Sequence, residues 1–191
     1  MNDQVLRETN LEMDEKQLVA QLQDKRTLDQ AFRYLMSEYK ERLYWHIRKI
    51  VITHDDTDDV LQNTFIKVYR NIDKFKGDSK LYSWIYRIAT NESISHLKKQ
   101  AKHQSIDIDE LQLKRVNNLQ ADVYFEGDEI QYKLQQAIAQ LPQKQQLVFN
   151  MKYFDAMKYR DISEILETSV GSLKASYHHA VKKIEKMLTT G

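Results

Sequence analysis

The residues of this sequence that are best suited to binding another molecule are Lys and Arg residues that lie near aromatic residues in the chain. Residues 80–102 carry five Lys and Arg residues against a single Glu, and they include Tyr82, Trp84 and Tyr86. Aromatic rings stack on unpaired bases, while Lys and Arg hold the phosphate backbone of a single strand. A second basic stretch, residues 169–188, has four Lys residues against one Glu. Two such stretches predict a protein that contacts one polyanion at two places.

Two acidic stretches accompany the basic ones. Residues 105–129 hold seven Asp and Glu residues against two cations, and a separate cluster contains Asp55, Asp56, Asp58 and Asp59. Acidic residues favour the start of a helix, where free N–H groups and the positive end of the dipole lie. The cluster lacks the Gly and the distal Glu of a calcium-binding EF-hand loop, which argues against a metal site.

The composition excludes most enzyme classes. The chain of 191 residues has 29 basic and 28 acidic residues, four Gly, one Pro and no Cys. Without Cys there are no disulfides or thiolate metal ligands, which fits a reducing compartment. The few Gly residues form neither a GxGxxG nor a Walker loop, so we expect no catalytic residue, no metal and no cofactor. Scarce Gly and Pro also disfavour sandwiches and barrels, and an all-α fold is predicted.

Apolar residues that recur at spacings of three and four predict eight helices. These helices lie near residues 14–23, 27–52, 57–72, 80–102, 128–140, 142–153, 158–166 and 169–188. Residues 103–127 lack this periodicity and are acidic, which predicts a flexible linker. The predicted organisation is an N-terminal segment with a short helix (1–26), a first small helical domain (27–102), the linker (103–127) and a second small helical domain (128–191).

The last two predicted helices have the pattern of a helix-turn-helix, although an ordinary helix pair can share it. Thr168 and Ser169 can cap the second helix. Its outer face has small and polar residues early and cations late, which suits a recognition helix because its first residues reach base edges and Lys neutralises phosphates. The candidate contacts of duplex DNA are Ser169, Ser172, Lys174, Ala175, Ser176, His178, His179 and Lys182.

The order and spacing of several motifs resemble the sigma-70 family of transcription initiation factors. Residues 27–102 resemble the family's region 2, and residues 128–188 resemble its region 4. The motifs are DTDDVLQNTF (56–65), WIYRIATN (84–91), SHLKK (95–99), LP (141–142), DISEIL (161–166) and SVGSLK (169–174). The missing middle domain and the short connector are typical of the extracytoplasmic-function (ECF) group.

The resemblance implies a protein that binds core RNA polymerase and directs promoter recognition, DNA melting and transcription initiation, without covalent chemistry of its own. The implied polymerase-binding residues are Asp58, Asp59, Gln62 and Asn63. The implied contacts of the melted promoter strand are Lys76, Ser79, Lys80, Tyr86, Arg87, Asn91, Lys98 and Lys99. Trp84, by contrast, lies on an apolar stripe and is predicted to be a core residue.

The sequence departs from the family pattern at four positions. Glu167 stands where a turn Gly is common, and Lys158 stands where a Ser or Thr cap is common. Ser176 and His179 replace Arg residues that are often found in the recognition helix. The family's usual downstream element therefore cannot be carried over to this chain.

A conventional helix-turn-helix repressor that binds duplex DNA as a dimer is the alternative. It would explain residues 158–188 but would leave Asp59, Gln62 and the aromatic-basic helix without a role. The expected partners are core RNA polymerase and promoter DNA, both duplex and melted, with an anti-sigma factor as a further candidate. No apolar run approaches the ~20 residues that cross a bilayer, and residues 1–8 lack a signal-peptide profile. A cytoplasmic protein without membrane insertion is expected.

Overall fold

The predicted apolar stripes form helices in the parts of the chain that the structure describes. The computed structural model describes residues 14–119 and 128–190, and its regular structure within these ranges is helical throughout. The α-helices are α1 (Glu15–Gln23), α2 (Leu28–Val51), α3 (His54–Asn71), α4 (Leu81–Gln104), α5 (Ile108–Asn117), α6 (Glu129–Ala139), α7 (Gln143–Tyr153), α8 (Tyr159–Leu166) and α9 (Val170–Thr190), with a 3-10 helix (Ile72–Lys74) after α3. The all-α fold is confirmed. No described helix is long and apolar enough to cross a membrane.

The first half of the chain is built around α2, α3 and α4. These three helices pack against one another, and their inner faces supply much of the main apolar cluster. Fully buried members of the cluster include Leu43, Ile47, Val68, Ile85 and Leu97. Each such side chain stabilises the fold by roughly 1.5–3 kcal/mol when it leaves water. This bundle is the rigid element on which the polar faces of α3 and α4 are displayed.

α1 closes one end of the bundle through side-chain hydrogen bonds. The Gln23 amide donates to the carbonyls of Ile72 (3.1 Å) and Phe75 (2.8 Å). The Glu15 carboxylate accepts a hydrogen bond of 3.1 Å from the Leu81 N–H. A helix start leaves its first N–H groups without intrahelical partners, so Glu15 satisfies one of them at α4 and fixes the loop that precedes this helix.

The predicted linker, residues 103–127, is partly helical, which corrects the expectation of an aperiodic segment. The Asp107 side chain accepts a hydrogen bond of 2.7 Å from the Glu110 N–H and so caps the start of α5. Leu111 and Val116 are buried against the rest of the chain. The abundant acidic residues around α5 obscured this short apolar face in the sequence.

α5 also caps the end of α2. The Gln112 amide donates to the Ile50 carbonyl (3.1 Å), and the Arg115 guanidinium donates to the Val51 carbonyl (2.6 Å). The last carbonyl groups of a helix have no intrahelical partner, so these two side chains stabilise the end of α2. The flexible-tether hypothesis therefore does not hold for α5, and residues 120–127 lie outside the described residues.

The second half of the chain consists of α6 to α9. A smaller apolar cluster lies between α6, α7 and α9 and includes Ile138, Phe149, Ala180 and Ile184. The buried Gln146 amide donates to the Leu141 carbonyl over 2.6 Å and so fixes the turn between α6 and α7. α8 and α9 follow as the two arms of the predicted helix-turn-helix.

The two halves pack directly against each other. Met151, Ile162 and Ile165 of the second half belong to the same buried cluster as Leu43 and Ile85 of the first half. α8 contacts α4, and α7 contacts α2. An apolar stripe shows that a helix has a buried face but does not name the element that covers it, which is why this packing was not predicted.

Candidate functional site

The acidic start of α3 forms one rim of a groove between α2 and α3, which we call the docking groove. Its volume is about 650 Å³. Asp58, Asp59 and Gln62 line the rim, and together with Asn63 they are exposed. The groove thus brings three of the four predicted polymerase-binding residues to one concave surface, and the fourth lies next to Gln62 in the chain.

The docking groove also has an apolar wall that the sequence analysis missed. Ile66 and Tyr69 line it and remain 38% and 40% exposed. The Phe32 ring of α2 packs edge-on against the Tyr69 ring, with 5.0 Å between the ring centroids. The spacing of Asp59, Gln62, Ile66 and Tyr69 places them on one helix stripe, and this signal was available in the sequence. Their exposure makes a mixed polar and apolar surface of the kind found at protein interfaces.

The start of α3 is held by Asp56. This carboxylate lies 2.8 Å from His96 Nε2 and 2.6 Å from Arg115 Nη2, and it accepts a hydrogen bond of 2.7 Å from the Thr53 hydroxyl. Burial opposes ionisation of the carboxyl, but the Thr53 hydrogen bond and the charges of Arg115 and His96 outweigh burial and hold the pKa of Asp56 below its ordinary value. α3, α4 and α5 are therefore joined at one point, which fixes the rim of the docking groove.

The residues predicted to contact a melted strand lie along α4 and the loop before it, a surface that we call the melting face. Five of them are exposed, namely Lys76, Lys80, Asn91, Lys98 and Lys99, and two are half-buried, Ser79 and Arg87. Tyr86 differs from all of these because it is buried.

The burial of Tyr86, which is 3% exposed, contradicts its predicted contact with DNA. Its ring packs at 4.4 Å from the Tyr82 ring and 4.8 Å from the His46 ring, measured between centroids. Burial raises the pKa of Tyr86 to about 12. Trp84, predicted to be a core residue, keeps part of its surface exposed beside Phe75. The predicted stripe residues Ile85 and Leu97 are buried and Trp84 packs against the main apolar cluster, so the buried face of α4 is wider than the stripe and includes Tyr86.

Two cations of the melting face are paired with the second half of the chain. Lys80 Nζ lies 2.8 Å from Asp161 Oδ1, and this contact raises the pKa of Lys80. Arg87 donates to the Glu167 carboxylate (3.0 Å) and to the Glu164 carbonyl (2.7 Å). α8 therefore lies over part of the melting face.

Asn91 is placed at the edge of this contact. It lines a cavity of about 260 Å³ between α4 and the second half, together with Leu147, Ile165 and Thr168. The Asn91 side chain is exposed, so its amide remains available for hydrogen bonding, but the space in front of it is bounded by the helix-turn-helix.

The outer face of α9, which we call the recognition face, contains the candidate duplex contacts. Six of these residues are exposed, Ser169, Lys174, Ala175, His178, His179 and Lys182, and two are half-buried, Ser172 and Ser176. The Ser169 hydroxyl accepts a hydrogen bond of 3.3 Å from the Ser172 N–H, so Ser169 caps this helix. Lys144 Nζ also lies 3.1 Å from the Ser172 hydroxyl and adds a cation beside the start of the recognition face.

Two of the departures, Glu167 in the turn after α8 and Lys158 before α8, have structural consequences. Glu167 adopts a left-handed conformation with φ of 51°, a region that non-Gly residues visit at a cost. Lys158 precedes α8 without a side-chain cap hydrogen bond. The turn is nevertheless closed, because the Ser163 hydroxyl donates to the Thr168 carbonyl over 2.7 Å.

Two protein-family models match this chain, one in each half. The description "Sigma-70 region 2" matches residues 35–103, and "Sigma-70, region 4" matches residues 131–184. The chain is 30% identical over 166 residues to the ECF RNA polymerase sigma factor SigW of Bacillus subtilis, which covers 83% of this chain and 89% of that protein.

The chain belongs to the sigma-70 family.

Further relatives of this sigma factor support its place in the ECF group. It is 29% identical over 184 residues to the RNA polymerase sigma-H factor of Pseudomonas aeruginosa, which covers 91% of this chain and 93% of that protein. The fold is shared with CnrH, solved in complex with the cytosolic domain of CnrY, at a TM-score of 0.67 and 19% identity over 92% of this chain and 97% of that chain. As a sigma factor, the protein acts with RNA polymerase in transcription initiation at promoters.

The boundary between the two halves of this sigma factor contains a second buried carboxylate. Asp155 lies 3.0 Å from His46 Nδ1 and 2.7 Å from Lys49 Nζ, and its side chain is 13% exposed. Burial opposes ionisation, but the hydrogen bonds and charges of His46 and Lys49 outweigh burial and hold the pKa of Asp155 below its ordinary value. The contacts of Asp155 with His46 and Lys49 join α2 to the loop that follows α7.

Proposed function

We propose that three surfaces of this sigma factor have three different binding functions. The docking groove binds core RNA polymerase, the melting face holds the opened promoter strand, and the recognition face reads duplex DNA. The protein carries out no covalent chemistry and acts in the cytoplasm. The observation that carries the proposal is the docking groove, because a regulator that only binds duplex DNA has no use for it.

The docking groove suits a partner with cationic and apolar side chains. Asp59 and Gln62 offer acceptors at the rim, and charge-assisted hydrogen bonds to Arg are stronger and shorter than neutral ones. Ile66 and Tyr69 supply apolar contact area beside them, and buried apolar and aromatic contacts carry much of the affinity of an interface. A helix that presents Arg next to apolar residues would satisfy both parts of the groove.

The melting face acts on DNA after the strands separate. Flipping a base out of the duplex costs a few kcal/mol, so the protein must bind the opened strand to offset that cost. Asn91 can hydrogen-bond an exposed base, and Lys98 and Lys99 can neutralise phosphates. Tyr86 has no part in this function because it is buried.

The recognition face acts on the duplex. The small residues at the start of α9 allow its backbone to approach base edges, as in other recognition helices. Lys174 and Lys182 neutralise phosphates, and this contribution is independent of sequence and sensitive to salt. Ser176 and the exposed His179 take positions at which relatives often have Arg, so the family's usual base preference does not carry over to this chain.

An anti-sigma factor is a further candidate partner. A Bartonella quintana sigma factor, RpoE, was solved in complex with the anti-sigma factor NepR, and this chain shares its fold at a TM-score of 0.63 and 18% identity over 83% of this chain. An anti-sigma factor that covered the docking groove would block polymerase binding directly.

The docking groove is tested by the double substitution Asp59→Arg/Gln62→Ala. Because it reverses a charge and removes an amide at the rim, binding to core RNA polymerase should weaken by about 1.5 kcal/mol or more, which is at least about tenfold. Affinity is measured by pull-down and by titration of labelled sigma factor with core enzyme. The matched control is Glu185→Arg, since Glu185 is an exposed acid of α9 outside the groove. Unchanged affinity of the double variant, with an unchanged circular dichroism spectrum, would refute the docking assignment.

A further inference from the structure

A pocket at the boundary between the two halves belongs to none of the three proposed surfaces. Its volume is about 520 Å³, which lies within the range of roughly 300–1,000 Å³ that is typical of small-molecule sites. Both halves of the chain line it, and we call it the boundary pocket. Its lining residues are Arg42, Trp45, Lys49, Tyr82, Tyr86, Gln135, Phe154 and Asp155.

Aromatic side chains form much of the wall of the boundary pocket. Trp45 of α2 is 52% exposed, and Phe154 after α7 is 38% exposed. Tyr82 of α4 also lines the pocket and is half-buried. Large rings that remain in contact with water do not gain the free energy of burial, and a flat ligand could supply it by stacking on them.

Arg42 is the cation of this pocket that is available to a ligand. Lys49 lies in the same pocket, but its Nζ is 2.7 Å from Asp155 Oδ1, so its charge is already paired. No carboxylate within residues 14–119 and 128–190 forms an ion pair with Arg42. The Arg42 guanidinium carbon lies 5.5 Å from the centroid of the Tyr82 ring, a cation–π contact that holds it at the pocket. Because a guanidinium binds phosphate through two parallel hydrogen bonds, Arg42 can hold a phosphate group.

Gln135 supplies a group that can recognise a base. Its side chain is half-buried at the pocket, and in the part of the chain that the structure describes its amide has no hydrogen-bond partner. A Gln amide pairs with N6 and N7 of adenine through one donated and one accepted hydrogen bond. Stacking on aromatic rings combined with such contacts to the base edge is a common way to recognise a single base.

We propose that the boundary pocket binds a free adenine nucleotide. The adenine ring stacks on Trp45 and Phe154, Gln135 pairs with the edge of the ring, and Arg42 holds the phosphate. Arg42 and Trp45 belong to the first half, whereas Gln135 and Phe154 belong to the second, so a bound nucleotide contacts both halves. The proposal does not depend on the three proposed surfaces, because none of their residues lines this pocket apart from the buried Tyr86.

Binding is measured by the fluorescence of Trp45. The chain has two Trp residues, so Trp84→Phe leaves Trp45 as the only indole and keeps an aromatic ring beside Phe75. AMP should quench this fluorescence saturably, because the base stacks on the indole. Adenosine lacks the phosphate, and GMP presents a different base edge. Each should bind at least about tenfold more weakly than AMP, since each loses one strong contact.

Two substitutions assign these contacts to their residues. Arg42→Gln removes the guanidinium, so AMP should bind at least about tenfold more weakly, while the weak binding of adenosine should not change. The matched control is Arg33→Gln, because Arg33 is an exposed Arg of α2 that does not line the pocket. Gln135→Leu should remove the preference for AMP over GMP. Circular dichroism of every variant verifies that the helices are intact.

Stability in urea gives a second measurement that does not use fluorescence. A ligand that binds only the folded protein raises the ratio of folded to unfolded protein about a hundredfold when its concentration is 100 times the dissociation constant. AMP at that concentration should raise the urea midpoint of the wild type and of Arg33→Gln, and it should raise that of Arg42→Gln less. The proposal would be overturned by AMP that neither quenches Trp45 saturably nor shifts the midpoint. Equal affinities for AMP and adenosine, or an unchanged AMP affinity in Arg42→Gln, would overturn it as well.

Discussion

The docking groove and the melting face lie on neighbouring helices of one bundle, yet only one of them is free. Asp59 and Gln62 on α3 are exposed, and no described residue pairs with either side chain. Lys80 and Arg87 on α4 are engaged by α8. The proposed surface for polymerase is therefore accessible in this structure, whereas the proposed surface for the melted strand is partly covered. With these proposed roles, the difference predicts that polymerase binds before the strand does.

Two carboxylates with cationic partners, Asp56 and Asp155, stabilise different parts of the chain around these two surfaces. Asp56 pairs with a His and an Arg inside the first half, and it fixes the start of α3. Asp155 pairs with a His and a Lys, and it joins the two halves. Asp56 thus supports the docking groove, and Asp155 supports the packing of the second half, which partly covers the melting face.

The largest expected effect comes from removing these carboxylates one at a time. Asp56→Ala and Asp155→Ala each leave buried cationic partners unpaired, so each should lower the free energy of unfolding by about 3–5 kcal/mol. Urea denaturation followed by circular dichroism measures this loss. Asp56→Ala should also weaken binding to core polymerase, because the rim of the docking groove loses its support. Asp155→Ala should leave that affinity unchanged.

The comparison would break down if Asp155→Ala weakened polymerase binding as much as Asp56→Ala did. Both variants must be assayed well below their denaturation midpoints, so that the measured affinities belong to folded protein. A selective effect of Asp56→Ala would show that the first half supports the docking groove without help from the second.

The helices could be predicted from the sequence because each carries its own apolar period. α3 and α4 were placed to within three residues of their observed ends, and the helix-turn-helix was identified from α8 and α9. α5 was missed because its apolar face is short and lies among acidic residues. Its stability comes partly from Gln112 and Arg115, which cap the end of α2, and such long-range caps leave no local pattern.

The errors at the site have a common cause. Tyr86 is about 100° from Ile85 around the helix, so the apolar stripe alone predicts that it points outward. It is buried because His46 of α2 and Tyr82 pack against it. Tyr69 shows the reverse, since it follows the buried Val68 in the chain but is partly exposed and lines the docking groove. Periodicity assigns a face to each residue but does not show which faces neighbouring elements cover.

A smaller effect should separate the melting face from the recognition face. Asn91→Ala should leave duplex binding of the holoenzyme nearly intact and reduce strand opening by about tenfold, because a lost base contact costs roughly 1–3 kcal/mol. Lys174→Ala should weaken duplex binding and reduce its salt dependence by about one unit of slope. Permanganate footprinting on a supercoiled promoter measures opening, and a filter-binding salt titration measures duplex affinity. Loss of duplex binding in Asn91→Ala, with normal opening per bound complex, would contradict this division.

The smallest expected effect is the pH dependence of the two supporting carboxylates. The pKa values of Asp56 and Asp155 in the folded protein lie below the ordinary value of 3.8. A depressed pKa means that the ionised carboxylate contributes stability above pH 3.8, and that this contribution is lost as pH falls through the lower folded pKa.

Asn resembles a protonated Asp in shape, so Asp155→Asn should be less stable than wild type at pH 7. This gap in the free energy of unfolding should narrow below about pH 4. Asp56→Asn should show the same narrowing. Urea midpoints at pH 7, 5, 4 and 3 measure both gaps. Asp155, unlike Asp56, contacts residues across the boundary between the two halves, so its charge contributes to the packing of the second half against the first. A gap for Asp155→Asn that stayed constant from pH 7 to pH 3 would show that the charge of this carboxylate does not stabilise the packing of the two halves.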